Sequence, residues 1–381
     1  MFLYDQIKIL HLELTDRCNA NCPMCPRSVH GAFENPNLCL TELSLEDIKN
    51  FFPQEFVAQL DYIYLCGNYG EPTVARDCLE ILKYFRESNP QIRLSVFTNG
   101  STRTTQWWSE VGRLLSRSGD LVRFSIDGLE STNHLYRQNT NWDKIISNAK
   151  AFINAGGVAY WDYLVFDHNK HQIEEAKSLA KTLGFSEFFT KYSSRFVNNQ
   201  GQTIIEEYPV YDKTGEFVRK LMPIPELYGY DQAEVLSFER QQPIQPTLNP
   251  LKKWVPDLSS PDHQASYLSK CVSCQSQRNK EIYISAEGFV TPCCWTAFTI
   301  RTAMDIEHLN QFRGMVFDNG LDNICLRKKS LQEIIGDDFF QNQFTSNWAK
   351  KTPAEGQLML CYKFCNTDSW VQKEFKNREI L

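Results

Sequence analysis

No stretch of the 381-residue sequence reaches the 18 or more apolar residues that a membrane-spanning helix needs, so a soluble protein with no membrane partner is expected. The N-terminal MFLYDQIKILHLELT lacks the charged start, apolar centre and small-residue cleavage site of a signal peptide. It reads as a strand, and a cytoplasmic location follows. Basic residues are not concentrated either: 40 Lys and Arg are mixed among 46 Asp and Glu, for a net charge of −6. The absence of a basic stripe weighs against a nucleic-acid partner held through phosphates. Internal repeats and low-complexity runs are also missing.

What the sequence has in excess is cysteine. Thirteen in a chain without secretion signals do not suit a disulfide framework, because the cytosol keeps thiols reduced, and metal or redox chemistry is the better reading. Nine fall into close groups: 18, 22 and 25; 271 and 274; 293 and 294; 361 and 365. The isolated Cys39, Cys66, Cys78 and Cys325 read as small buried hydrophobes.

From residue 7 to about 195, strand-like runs alternate with helical patterns, as in repeated βα units around a parallel sheet. Six strands are expected, at 7–14, 61–67, 92–99, 121–127, 158–166 and 186–192. Helices are expected between them, one capped by Ser44 with Asp47 and two running to glycines at their C-terminal ends. Six units suggest a partial (β/α)6 TIM-like barrel over 1–195, with a wound open sheet as the alternative. Residues 196–265, rich in proline, glutamine and aromatics, form a bridge with little regular structure, either a linker or a wall of the substrate cavity. Residues 266–381 carry seven of the thirteen cysteines and are expected to form a small separate domain.

Thiolates hold zinc and iron–sulfur clusters, and a closed site of either kind wants four ligands. Cys18, Cys22 and Cys25 supply three, in the loop after the first strand, where parallel barrels place their active sites. A zinc site completed by a distant residue such as His30, or a redox pair using two of the thiols, leaves that placement unexplained. The Cys-x3-Cys-x2-Cys spacing resembles the hallmark of radical S-adenosylmethionine (radical SAM) enzymes. That resemblance implies a [4Fe-4S] cluster whose fourth iron chelates SAM. Met24 stands where the family commonly has an aromatic residue.

Further motifs follow at successive strand ends. GNYGEP, with Gly70 and Glu71, looks like the family's glycine-glutamate motif for the SAM amino group. Thr98-Asn99-Gly100 follows the third strand; Ser125 and Asp127 lie on the fourth, with Arg137 beyond. The resemblance implies cofactor-binding roles for Asn99, for Ser125 at the ribose and for Arg137 at the carboxylate. For each residue taken alone, a turn or a surface ion pair is the blander reading.

The C-terminal cysteines follow another pattern. A hairpin over 281–291, turning at 286–288, would bring Cys274 and Cys293 together, and LMLCYKFC adds Cys361 and Cys365. This resembles the SPASM/Twitch extension of radical SAM enzymes, the shorter Twitch form more than the full SPASM domain. It implies an auxiliary [4Fe-4S] cluster on Cys274, Cys293, Cys361 and Cys365, with Cys271 and Cys294 as alternative ligands and zinc as the competing metal.

The resemblance implies reductive cleavage of SAM and hydrogen abstraction by a 5′-deoxyadenosyl radical. Many relatives of this type mature ribosomally made precursor peptides, and a peptide is the expected substrate. Excision of a tyramine unit, cross-linking or epimerisation would be the outcome. A separate leader-peptide-binding protein and an electron donor such as flavodoxin or ferredoxin would be the partners. The alternatives are a radical dehydrogenase of a small molecule and a non-catalytic iron–sulfur carrier. No catalytic residue is assigned beyond the cluster, although Cys66, Tyr69, His168 and Arg195 are available as donors or bases.

Overall fold

The computed structural model describes residues 1–200, 202–224, 235–236, 272–301 and 307–365. All six expected strands form: β1 Ile9–Leu12, β2 Tyr62–Leu65, β3 Arg93–Thr98, β4 Leu121–Ser125, β5 Ala159–Leu164 and β6 Glu187–Lys191. They pair parallel in sequential order, β1 to β6. A doubly wound sheet would reverse its order at a switch point. This one does not, and the parallel-rich sheet is that of a partial barrel.

Helices α1 Leu45–Phe51, α2 Cys78–Ser88, α3 Thr105–Leu114, α4 Glu130–Tyr136, α5 Trp142–Asn154 and α6 Ile173–Leu183 lie between the strands. Their ends follow local chemistry. The Ser44 hydroxyl accepts from the Asp47 N–H at 3.1 Å while the Asp47 carboxylate accepts from the Ser44 N–H at 3.0 Å, the reciprocal cap expected from the sequence. Gly184 ends α6 at φ +88°, in the left-handed region where glycine carries no Cβ penalty.

Strand alternation divides the residues between two faces. Val122, Phe124 and Trp161 point to the helices, where Trp108, Phe152 and Phe185 complete an aromatic core. The opposite, inner face takes His11, Tyr64, Phe97, Arg123 and Asp162, half of them polar or charged, which a sheet face closed only by packing would not favour.

Two findings change the expected organisation. The C-terminal hairpin forms, as β9 Glu281–Ile284 and β10 Val290–Thr291, numbering after the bridge hairpin described next. It does not stand apart, however: β9 pairs parallel with β1, from Ile9 opposite Glu281 to Leu12 opposite Ile284, and extends the sheet to eight strands. Ile282, Ile284, Val290, Ile300 and Cys361 share the barrel's core. Pairing between strands some 270 residues apart leaves no local sign in the sequence.

The bridge is also more regular than expected where it is described. Val197–Gln200 pairs antiparallel with Gln202–Glu206, and β7 Tyr208–Tyr211 with β8 Phe217–Leu221. The β7/β8 hairpin lies over the cysteine loop. Tyr208 Oη donates to the Pro23 carbonyl at 3.1 Å, and the Tyr211 N–H donates to the His30 carbonyl at 3.0 Å. This part of the bridge is a wall. Most of the remainder lies outside the described residues.

Candidate active site

Beyond β1 the chain enters the loop that carries Cys18, Cys22 and Cys25. Its base is closed by the Asp16 carboxylate, which accepts from the N–H groups of Cys39, Leu40 and Thr41 at 3.1, 3.0 and 2.7 Å. The loop packs in its own apolar cluster, with Ala20, Met24, Tyr136, Phe166, Val210 and Leu221. Met24 is fully buried there, so a flexible thioether fills the place.

The thiols are free, and burial in this setting raises those of Cys18 and Cys22, the latter to about 11 despite the Arg137 charge beside it. N–H donors already face the sulfurs. The Ala20 N–H lies 3.3 Å from Cys18 Sγ, Asn99 Nδ2 3.9 Å from the same atom, and Arg137 Nη1 3.7 Å from Cys22 Sγ. Among the described residues, no group of three or more Cys, His, Asp and Glu side chains is drawn together as around a single metal ion. The donor set is still a fitting one for an iron–sulfur cluster: soft thiols, apolar cover and N–H groups aimed at sulfur.

The GNYGEP loop after β2 locks onto the cysteine loop. Gly70 lies against Thr15, and the Glu71 N–H donates to the Arg17 carbonyl at 2.9 Å. Glu71 is buried. Its Oε1 accepts from the hydroxyls of Thr73 and Thr98, both at 2.7 Å, and its Oε2 accepts from the Asn99 N–H at 2.7 Å. Glu71 thus ties the ends of β2 and β3 together, a role the sequence did not suggest. Asn99 in turn donates to Asn19 Oδ1 at 2.9 Å. Arg137 Nε donates to Asp127 Oδ2 at 2.6 Å, which turns the rest of its fork toward Cys22. Ser125 ends β4 on the inner face, opposite Asp162. Five strand-end residues foreseen from sequence therefore lie around the cysteines, and Asn99 and Arg137 face their sulfurs.

Two buried residues were missed. Glu13 Oε1 accepts from the N–H groups of Tyr69 and Gly70 at 2.7 and 2.9 Å, and its Oε2 accepts from the Tyr283 hydroxyl of β9. Burial lifts this carboxyl to about 7 against those three donors. His11, on the same face, is hydrogen-bonded through Nε2 to the Cys66 carbonyl at 2.7 Å and stacks on Tyr64 at 4.2 Å, with burial lowering its pKa to about 3. The alternation in ILHLEL, with His and Glu between leucines, was the available signal.

Cys274, Cys293, Cys361 and Cys365 gather at one place: each is buried, each has its pKa raised first by burial, and the charges of the group act on one another. The Ser273 N–H donates to the Cys365 carbonyl at 2.7 Å, joining the first and last of these segments. Cys294 begins the helix α7 Cys294–Arg301, and its thiol is influenced by Glu281 and Cys66 of the barrel as well as by Cys293 and Cys365. Cys271 lies outside the described residues. The two thiol groups are joined through the second strand end, since Asn68 Nδ2 donates to the Cys294 carbonyl at 2.8 Å and Tyr69 Oη to the Phe298 carbonyl at 2.6 Å.

Fold and site together define an α/β partial-barrel protein with a thiol-bearing loop at the C-terminal ends of its parallel strands. Residues 12–180 match the sequence model of the Radical SAM superfamily, and this span is a radical SAM domain. Over 130 residues the chain is 31% identical to the tungsten-containing aldehyde ferredoxin oxidoreductase cofactor-modifying protein of Pyrococcus furiosus, across 34% of this chain and 33% of that protein. Over 173 residues it is 28% identical to GTP 3′,8-cyclase of Klebsiella pneumoniae, across 43% of this chain and 49% of that protein. The chain thus spans a third to about half the length of these curated relatives. Among solved structures, Streptococcus suis SuiB bound to the precursor peptide SuiA superimposes with a TM-score of 0.50 at 14% identity, across 88% of this chain and 67% of that one. That likeness is one of fold. No helix among the described residues is long and apolar enough to cross a membrane.

Proposed function

We propose that this chain is a radical SAM enzyme that modifies a ribosomally made peptide, working in the cytoplasm with an external electron donor and a separate leader-binding protein. Cys18, Cys22 and Cys25 would hold a [4Fe-4S] cluster, and Cys274, Cys293, Cys361 and Cys365 an auxiliary one. When bound with SAM, the first cluster supplies the electron that splits SAM to methionine and a 5′-deoxyadenosyl radical.

The observation that carries this reading is the contact of Asn99 and Arg137 with the sulfurs of Cys18 and Cys22. Residues matched to SAM-binding positions and residues matched to iron ligands come from different strand ends and meet. The Arg137 guanidinium, held by Asp127, offers a charged fork at the thiols for a carboxylate. Gly70 presents backbone where a side chain would block approach, and Glu71 fixes the Asn99 loop. Met24, Phe166 and the β7/β8 hairpin keep water from the cysteine loop.

The SuiB structure contains a precursor peptide, which supports a peptide substrate. The similarity to GTP 3′,8-cyclases favours a second reading, a small-molecule substrate. The test is anaerobic co-expression with peptides encoded beside the gene, read by peptide mass. Loss of a tyramine unit, loss of two hydrogens, or deuterium uptake without other change would identify excision, cross-linking or epimerisation. Unchanged peptides with continued deoxyadenosine formation would transfer the reading to a small molecule.

A further inference from the structure

On the inner face of the barrel, three charged side chains from adjacent strands meet below the strand ends. Arg123 Nη1 of β4 donates to Asp162 Oδ1 of β5 at 2.9 Å, and Lys191 Nζ of β6 donates to the other carboxylate oxygen, Oδ2. The Asp162 side chain is only 5% exposed, whereas that of Lys191 is 24% exposed. The Arg123 guanidinium is held between aromatic rings, 5.7, 5.2 and 5.0 Å from the centroids of Phe97, Tyr160 and Phe189. Asp162 is opposite Ser125 in the sheet register, so the set lies beside the residue matched to the SAM ribose. Lys191 and Asp162 also act electrostatically on the thiol of Cys66 at the end of β2, which places them at the mouth of the inner face rather than beneath it.

We infer that Lys191 and Arg123, oriented by Asp162, form a receptor for a carboxylate of the substrate, such as an Asp or Glu side chain of a peptide. The inference rests on the reading that the inner face of the barrel is the substrate site. Within the set, two cations share one carboxylate, and a set of that balance in a low-dielectric site favours a second anion. Asp162 holds both cations in place before the ligand arrives, so little side-chain freedom is lost on binding. A purely structural triad stitching three strands would need no accessible ammonium, and Lys191 keeps one edge open.

The test uses the full chain, anaerobically reconstituted with iron, sulfide and SAM. N-acetylglutamate amide and its neutral isostere N-acetylglutamine amide are the probes, and their affinities are measured by ligand-observed NMR. The acidic probe should bind about tenfold more tightly, the range of a charge-assisted pair. Lys191→Met should bring the two probes to parity, Lys191→Arg should keep the preference, and SAM affinity should be unchanged in both variants. Equal binding of the probes to the natural protein overturns the inference, as does a preference that survives both Lys191→Met and Arg123→Met. Deoxyadenosine formation by the natural protein, without probe, is measured in parallel. Its absence would overturn the radical SAM reading while leaving the carboxylate preference to be judged on its own.

Discussion

Gly70 lies against the Thr15 carbonyl so closely that a Cβ on the glycine would stand 1.5 Å from the oxygen. The loop after β2 is thus seated on the loop after β1, backbone to backbone. Only a residue without a side chain permits this approach. Gly70→Ala must displace one loop, and the expected cost is about 2–4 kcal/mol of stability. SAM affinity should fall with it, because Glu71 and the Asn99 loop move too. Denaturant unfolding and equilibrium dialysis with SAM measure the two effects, and a stable variant with unaltered SAM affinity would refute the seating.

Glu13 gives the fold a pH dependence. Its carboxyl keeps its proton to about pH 7 when folded, against an ordinary value of 4.5, because burial outweighs its three hydrogen bonds. Between those values the folded chain binds more protons than the unfolded chain. Its contribution to stability therefore falls as pH rises through that window, by a total on the order of 3 kcal/mol. Glu13→Gln should flatten this part of the profile. Urea midpoints at pH 5 and pH 8, compared for the two proteins, provide the check. An identical drop in both would mean that another group titrates.

The two thiol groups should be separable. Replacing Cys18, Cys22 and Cys25 together by alanine should remove about half the bound iron and all SAM cleavage, since an iron–sulfur cluster needs its thiolates. Replacing Cys274, Cys293, Cys361 and Cys365 should remove the other half and leave SAM cleavage without peptide intact. Iron analysis and deoxyadenosine assays report each. Zinc in the second group, found in the chain purified without reconstitution, would reassign that site.

The local features were legible because they are written locally. The six strands, the Ser44 cap, the Gly184 stop and the 281–291 hairpin all depend on residues a few positions apart. The cysteine loop was legible for the same reason. What the sequence hid was long-range: the parallel pairing of β9 with β1, and the Glu13–Tyr283 bond that accompanies it, join segments whose mutual fit no short window contains. Glu71 shows a second limit. The motif marked it as a ligand-facing acceptor, yet the structure also occupies its oxygens with Thr73, Thr98 and Asn99. A motif names the residue type a site needs; the neighbours that share it come from other strands.

The β7/β8 hairpin should protect the cysteine loop. Tyr208 lies with its ring centroid 4.8 Å from that of His30, and its hydroxyl is bonded to the Pro23 carbonyl between Cys22 and Met24. Cutting this side chain back removes both the aromatic cover and the bond that holds the hairpin down. Oxygen and water would then reach thiolates that are otherwise packed with Met24 and Phe166. In Tyr208→Ala the visible absorption of the reconstituted first cluster should bleach in air several times faster than in the natural protein, while Tyr208→Phe, which keeps the ring, should lie between the two. The auxiliary thiols must be replaced in all three proteins so that only one chromophore is read. Equal bleaching rates across the series would show that the hairpin covers the loop without shielding it.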